Sequence, residues 1–160
     1  MDAFLEELSD DAFRRATFCP MPSRWAEFAA RHDFAWEHVP FDPARQHEVP
    51  DEPGFYCFFI GLGPQVLPPI GYPLYVGKTE RTLRLRFGEY VTEKNRANGR
   101  KRVRKFLKVF DGELIFSCTR FTGTPQQVKA IETELHDALM PPYSDIGFSA
   151  EVRQRRQAFP

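Results

Sequence analysis

Gly54-Phe55-Tyr56-Cys57-Phe58-Phe59-Ile60, followed after one loop by Leu74-Tyr75-Val76-Gly77-Lys78, is the stretch on which the fold turns. The first run is short, apolar and aromatic, and it predicts a buried strand. Residues 61–73 are rich in glycine and proline and predict a loop. Leu74 to Val76 then predicts a second strand, so the two runs form an antiparallel hairpin with a long connection. Each run also sets a tyrosine beside a glycine at its edge.

Downstream, Thr79 or Thr82 is placed to start a helix carrying Leu83, Phe87, Tyr90 and Val91 on one side. Residues 100–109 predict a second, basic helix with Val103, Phe106, Leu107 and Phe110. Between Glu113 and Phe121, Leu114, Phe116 and Cys118 alternate with Ile115, Ser117 and Thr119, which predicts a third strand. Thr124-Pro125-Gln126-Gln127 combines an N-cap, a proline at the first helical position and a capping-box glutamine. That helix runs through Val128, Ile131, Leu135 and Leu139 and stops before Pro141-Pro142.

Upstream, a short helix leads to the connector Cys19-Pro20-Met21-Pro22. Ser23 then reads as the cap of a helix bearing Trp25, Phe28, Ala29 and His32. Residues 40–53 read as a linker or wrapping loop. The chain therefore divides into a helical and irregular N-terminal extension (residues 1–50), an α/β domain of the α+β type (51–148) and a C-terminal tail (149–160).

The formal charge is zero over 160 residues, but it is partitioned. Residues 1–52 carry a net of −7, residues 53–77 carry no charge, residues 78–108 carry +9 and residues 109–160 carry −2. A basic block with an acidic counterpart points to a polyanion as partner, or to neutralisation by the chain's own acidic segment. No run approaches the length of a membrane span. The three cysteines show no metal-ligand spacing and read as reduced thiols, mostly buried, in a cytoplasmic protein.

Four kinds of side chain suit phosphodiester chemistry. Glu132 lies on the margin of its helix's apolar stripe, where a carboxylate is held rigidly and still reaches a cleft. That suits one hard cation, Mg²⁺ or Mn²⁺, which takes few protein ligands. Arg86 flanks the stripe of Leu83, Phe87 and Tyr90, placing a guanidinium to clamp a phosphate. Tyr56 and Tyr75 lie near strand centres, and Lys78 follows Tyr75 closely enough to favour its ionised form. Arg84, Arg100, Lys101, Arg102, Arg104 and Lys105 suit contacts to a nucleic-acid backbone. His32, His38, His47 and His136 show no ligand spacing and read as structural or surface residues, although His136 is one turn after Glu132.

Taken together, these residues resemble the GIY-YIG nuclease family over residues 53–146. Gly54-Phe55-Tyr56 is similar to the first signature and Tyr75-Val76-Gly77 to the second. Lys78-Thr79 continues as in the nuclease subunit of bacterial excision repair. Arg86 takes the place of the family arginine with one residue inserted before Leu83, Glu132 that of the family glutamate, and Tyr143 that of the closing Pro-x-Tyr segment. Ser144-Asp145 stands where members often carry asparagine. The resemblance implies a small three-stranded antiparallel sheet flanked by helices and hydrolysis of DNA with one divalent metal. It further implies that Tyr56 acts as base or orients water and that Tyr75 supports the site. Lys78 and Arg86 would hold phosphate, and Glu132 would bind the metal. Two other readings stay open: a non-catalytic nucleic-acid-binding module, and a protein-interaction subunit acting through residues 1–50, whether with a partner or as a homodimer.

Overall fold

A computed structural model describes residues 3–61 and 71–158. Helices α1 (Ala3–Arg14) and α2 (Pro22–Arg31) precede a short strand β1 (Glu37–Pro40) and a 3-10 turn at Pro43–Glu48. The hairpin of β2 (Gly54–Gly61) and β3 (Gly71–Thr79) leads to α3 (Leu83–Asn95), α4 (Lys101–Val109), β4 (Leu114–Arg120), α5 (Pro125–Leu139) and α6 (Ala150–Ala158). The strands form one antiparallel sheet in the order β1-β4-β2-β3.

The sheet is thus four-stranded, not three-stranded as expected. The added strand pairs Glu37 with Cys118 and Val39 with Phe116 at the β4 edge. Only Val39 of its four residues is buried, and Pro40 ends it. So short an edge strand carries no alternation to read, and its proline fits only an edge. The strand comes from the segment assigned to the extension, and Val49 from the same segment joins the core.

β2 lies between β4 and β3, and both of its faces are covered. Tyr56 and Phe58 enter one core with Phe87, Tyr90, Phe106 and Phe116, under α3 and α4. Phe55 and Cys57 enter the other with Phe28 of α2 and Val128, Ile131 and Leu135 of α5. Double burial explains why β2 reads as a continuous apolar run. Much of the chain's phenylalanine content is spent here, and truncating one such ring costs about 3–5 kcal/mol.

The expected capping box of α5 is present: Thr124 Oγ1 accepts from Gln127 N, and Gln127 Oε1 accepts from Thr124 N. Thr82, not Thr79, caps α3 through Leu85 N. α2 begins at Pro22, before Ser23, with Met21 as a cap that makes no side-chain bond. β3 begins at Gly71 instead of Leu74, and β2 extends to Gly61. The remainder of the predicted loop, residues 62–70, lies outside the described residues. The tail holds helix α6, whose single buried residue, Val152, leaves no periodic pattern.

β3 is an edge strand whose outer side is occupied by the segment after α5. Tyr143 N donates to Leu74 O at 3.0 Å, and Val76 N donates to Ser144 Oγ at 3.1 Å. These bonds satisfy backbone groups that an open edge leaves unpaired. Ser144 therefore has a defined partner at the position where the resemblance leads one to expect asparagine.

Candidate functional site

Tyr56 and Tyr75 project from β2 and β3 onto the face covered by α3. Gly77 lies directly opposite Tyr56 across the hairpin. A Cβ at Gly77 would sit 2.3 Å from the Tyr56 hydroxyl, so the missing side chain makes room for the phenol. The signature glycine of β3 is thus a packing requirement of the tyrosine of β2.

Arg86, one turn into α3, reaches down to that phenol. Its Nε donates to Tyr56 Oη at 3.0 Å, its Nη2 to Tyr90 Oη at 3.3 Å and its Nη1 to Glu89 Oε2 at 2.9 Å. The hydroxyls of Tyr56 and Tyr90 are 2.8 Å apart. Arg86 also lies over the Tyr90 ring, 4.8 Å from its centroid, and Arg100 lies over the same ring at 5.7 Å. The Tyr75 ring packs edge-on against Tyr90 with centroids 6.2 Å apart. Both proposed tyrosines and the proposed arginine are therefore one constellation.

Tyr90 is a fourth member that the sequence reading left on the apolar stripe of α3. A signal was present: Tyr90 is four residues after Arg86, on the same helix face. A buried tyrosine also brings a hydroxyl that needs a partner.

Burial pushes the Tyr56 phenol up to about 12, with Tyr75 acting in the same direction and Arg86 and Tyr90 against it. Burial likewise raises Tyr75 and Tyr90. All three are neutral phenols near pH 7. The two hydroxyls of Tyr56 and Tyr90 share one hydrogen bond, and Arg86 only donates. One of the two hydroxyl protons is thus left to be given elsewhere.

Lys78 and Glu132 belong to the other face. Lys78 pairs in register with Phe55, which packs in the core beneath α5. Glu132 is half-buried on α5. Burial raises its carboxyl, Lys78 works against that shift, and Glu80 reinforces it. Lys78 Nζ is 3.8 Å from Glu80 Oε1. Tyr56, Tyr75 and Arg86 thus lie on the α3 face of the sheet, and Lys78 and Glu132 on the α5 face.

Among the described residues, no group of three or more His, Cys, Asp or Glu side chains is arranged to hold a metal. One half-buried carboxylate fits a hard cation that keeps most of its waters and shares substrate oxygens. His136 is buried; its Nδ1 lies 2.8 Å from Glu132 O and its ring packs against Phe148. It props the helix backbone at Glu132.

The basic residues divide by their partners. Arg84 donates to Val49 O and His47 O, and Arg104 to Arg96 O and Ala97 O, so both hold the chain's own loops. Arg102 pairs with Asp145 at 2.6 Å. Lys105 donates to Ser9 Oγ at 3.0 Å and lies 3.9 Å from Asp10, both on α1. Arg100 and Lys101 are exposed at the start of α4. The acidic first helix therefore covers part of the basic one.

No protein-family profile, curated protein or solved structure matches this chain. Among the described residues, no helix is long and apolar enough to cross a membrane. The functional reading therefore rests on the geometry and on the order of the motifs.

Proposed function

We propose that this protein is a divalent-metal-dependent DNA endonuclease of the GIY-YIG type. The observation that carries the reading is Arg86, held by two buried phenols on the hairpin that bears both signature-like tripeptides. A guanidinium fixed in this way is oriented before substrate arrives and offsets charge that develops on a phosphoryl oxygen. Water attacks phosphorus, one P–O ester bond breaks, and the proton that the water loses passes through solvent to the leaving alkoxide, so the products are a phosphate monoester and an alcohol.

Each residue has a role in that scheme. Arg86 holds the phosphate, and Lys78 would contact the DNA from the other side of the β3 edge. Tyr56, protonated at neutral pH, gives a hydrogen bond and orients the attacking water instead of removing its proton. Tyr75 and Tyr90 brace it. Glu132 would hold the divalent ion, which when bound polarises the phosphate and its water. Arg100 and Arg102 border the Tyr75 side, and with the exposed Lys101 they neutralise backbone phosphates.

A second reading is favoured by one specific observation, the separation of Lys78 and Glu132 from the tyrosine–arginine group across β3. A nucleic-acid-binding module on the same scaffold needs the cationic face and no joint action of the two groups. Cleavage of supercoiled, linear and branched DNA with Mg²⁺ or Mn²⁺, wild type beside Arg86→Lys and Glu132→Gln, separates the two. The nuclease reading expects metal-dependent cutting that both variants lose. Salt-sensitive binding without cutting by any of the three proteins establishes the binding module instead.

A further inference from the structure

Beyond the tyrosine–arginine group lies a larger groove that the scheme above does not use. It has a volume of about 620 Å³ and runs between the connector 15–21, the end of α5 and helix α6. Arg15, Arg24, Arg102, Arg155 and Arg156 line it, and no carboxylate does. Arg24 and Arg155 share a single counter-ion, Glu151, at 3.7 and 2.8 Å. Arg156 lies over the Phe148 ring at 4.0 Å, and its Nη1 donates to Ser144 O at 3.0 Å. Arg15 is exposed and makes no ion pair among the described residues.

The groove adjoins a smaller cleft on the Tyr75 side of the candidate site. A second cleft, of about 280 Å³, is lined by Tyr75 and Arg100 and shares Arg102 and Tyr143 with the first. Arg100 and Arg102 thus line the cleft beside Tyr75, with Asp145 as the partner of Arg102, and Arg102, Arg155 and Arg15 line the groove next to it. Between them, Phe18, Met21 and Met140 are half-buried and contribute apolar lining.

We infer that this groove seats unpaired nucleotides next to the scissile phosphate, so that the preferred substrate is duplex DNA carrying a single-stranded arm. The inference rests on the nucleic-acid reading above. Its physical basis is the combination of surfaces. A duplex offers outward phosphates and stacked, hidden bases, and a convex basic face suffices for it. A concave groove with apolar walls and a cationic rim takes exposed bases against its walls and phosphates on its arginines. Five guanidinium groups against two neighbouring carboxylates, Glu151 and Asp145, leave a net positive charge in the groove for phosphates to neutralise.

The test is fluorescence anisotropy in EDTA, comparing a blunt duplex with the same duplex bearing a short single-stranded arm. The arm should tighten wild-type binding by at least about fivefold, as one or two packed bases would. Arg15→Ala/Arg155→Ala should abolish that gain, leave blunt-duplex affinity unchanged and lower the salt slope for the armed substrate by about one to two. Arg15→Ala alone, at an exposed residue with no ion pair, repeats the test without disturbing the fold. An arm that adds nothing to wild-type affinity, or a gain that survives both variants, overturns the proposal. A polyglutamate peptide bound through the same two arginines, with no preference for the armed duplex, overturns it in favour of an acidic protein segment. Binding is read without metal, so failure to cut DNA refutes the nuclease scheme and leaves this result standing.

Discussion

The hydroxyl oxygens of Tyr56 and Tyr90 lie 2.8 Å apart, joining the middle of the β-hairpin to α3 across 34 positions of sequence. Arg86 donates to both. The two phenols are buried, Arg86 is half-buried, and the lack of a side chain at Gly77 leaves the Tyr56 phenol its place. Structure and proposed chemistry therefore share the same few atoms.

Arg86→Lys should cut catalysis by about a hundredfold or more while costing about 1 kcal/mol of stability. A lysine ammonium keeps the charge but cannot reproduce a planar fork that meets two phenols and Glu89 at once. Steady-state cleavage beside urea denaturation reads both effects. Near wild-type activity would remove Arg86 from the chemistry.

Glu132→Gln should abolish metal-dependent cutting and make the protein more stable at pH 7. Burial raises the Glu132 carboxyl, with Lys78 working against it. A carboxyl raised in the fold contributes stability that is present below its unfolded pKa and lost as pH rises through the folded value. At pH 7 the ionised side chain is therefore a burden that glutamine removes, and below the carboxylate range the two proteins should converge. Denaturation midpoints at pH 4 and pH 7 check this, and a variant less stable at pH 7 contradicts it.

Stability should fall steeply in alkali. Burial pushes Tyr56, Cys57 and Cys118 each up to about 12. These groups bind protons more tightly folded than unfolded, so their contribution is complete below the unfolded pKa and disappears as pH rises through the folded one. Each contributes a slope of about 1.4 kcal/mol per pH unit within its window, from about 9 for the thiols and about 10 for the phenol. Tyr56→Phe should flatten the limb above pH 10 in denaturation curves taken from pH 8 to 11. An unchanged slope would mean that the phenol is not buried in solution.

Gly54→Ala should be more damaging than Gly77→Ala. The added methyl at Gly54 would meet Thr119 O at 2.0 Å, a backbone atom of the neighbouring strand that cannot yield. At Gly77 it meets the end of the Tyr56 side chain at 2.3 Å. Overpacking of this kind costs about 1–3 kcal/mol and more where backbone must move. Comparison of urea midpoints tests the order. Cleavage by Gly77→Ala should also drop, because displacing Tyr56 breaks its bonds to Arg86 and Tyr90.

Much of the fold was readable because its signals are local. The capping box of α5, the stripe of α3 and the alternation in β4 each depend on residues a few positions apart, whereas the cap of α3 was narrowed only to Thr79 or Thr82. β1 was not readable, since four residues with one buried valine carry no period. α6 escaped for the same reason. In the candidate site, Tyr56, Tyr75 and Arg86 were found from their tripeptides and helix position. Tyr90 was missed because a tyrosine on an apolar stripe looks like core until its hydroxyl is seen to have a partner.

The sequence by itself determined most of the segments that become strands and helices, β2, β3, β4 and α2 to α5 among them, and which side of each is apolar. Tertiary structure alone decided that Arg86 meets two phenols, that Lys78 and Glu132 lie across β3 from them, that α1 covers Lys105, and that five arginines line one groove. Periodicity records how a residue stands relative to near neighbours on its own element. The registers of β2 with β3 and β4, and the side on which each helix packs, are set by the joint burial of both sheet faces, and that burial decides which distant side chains meet.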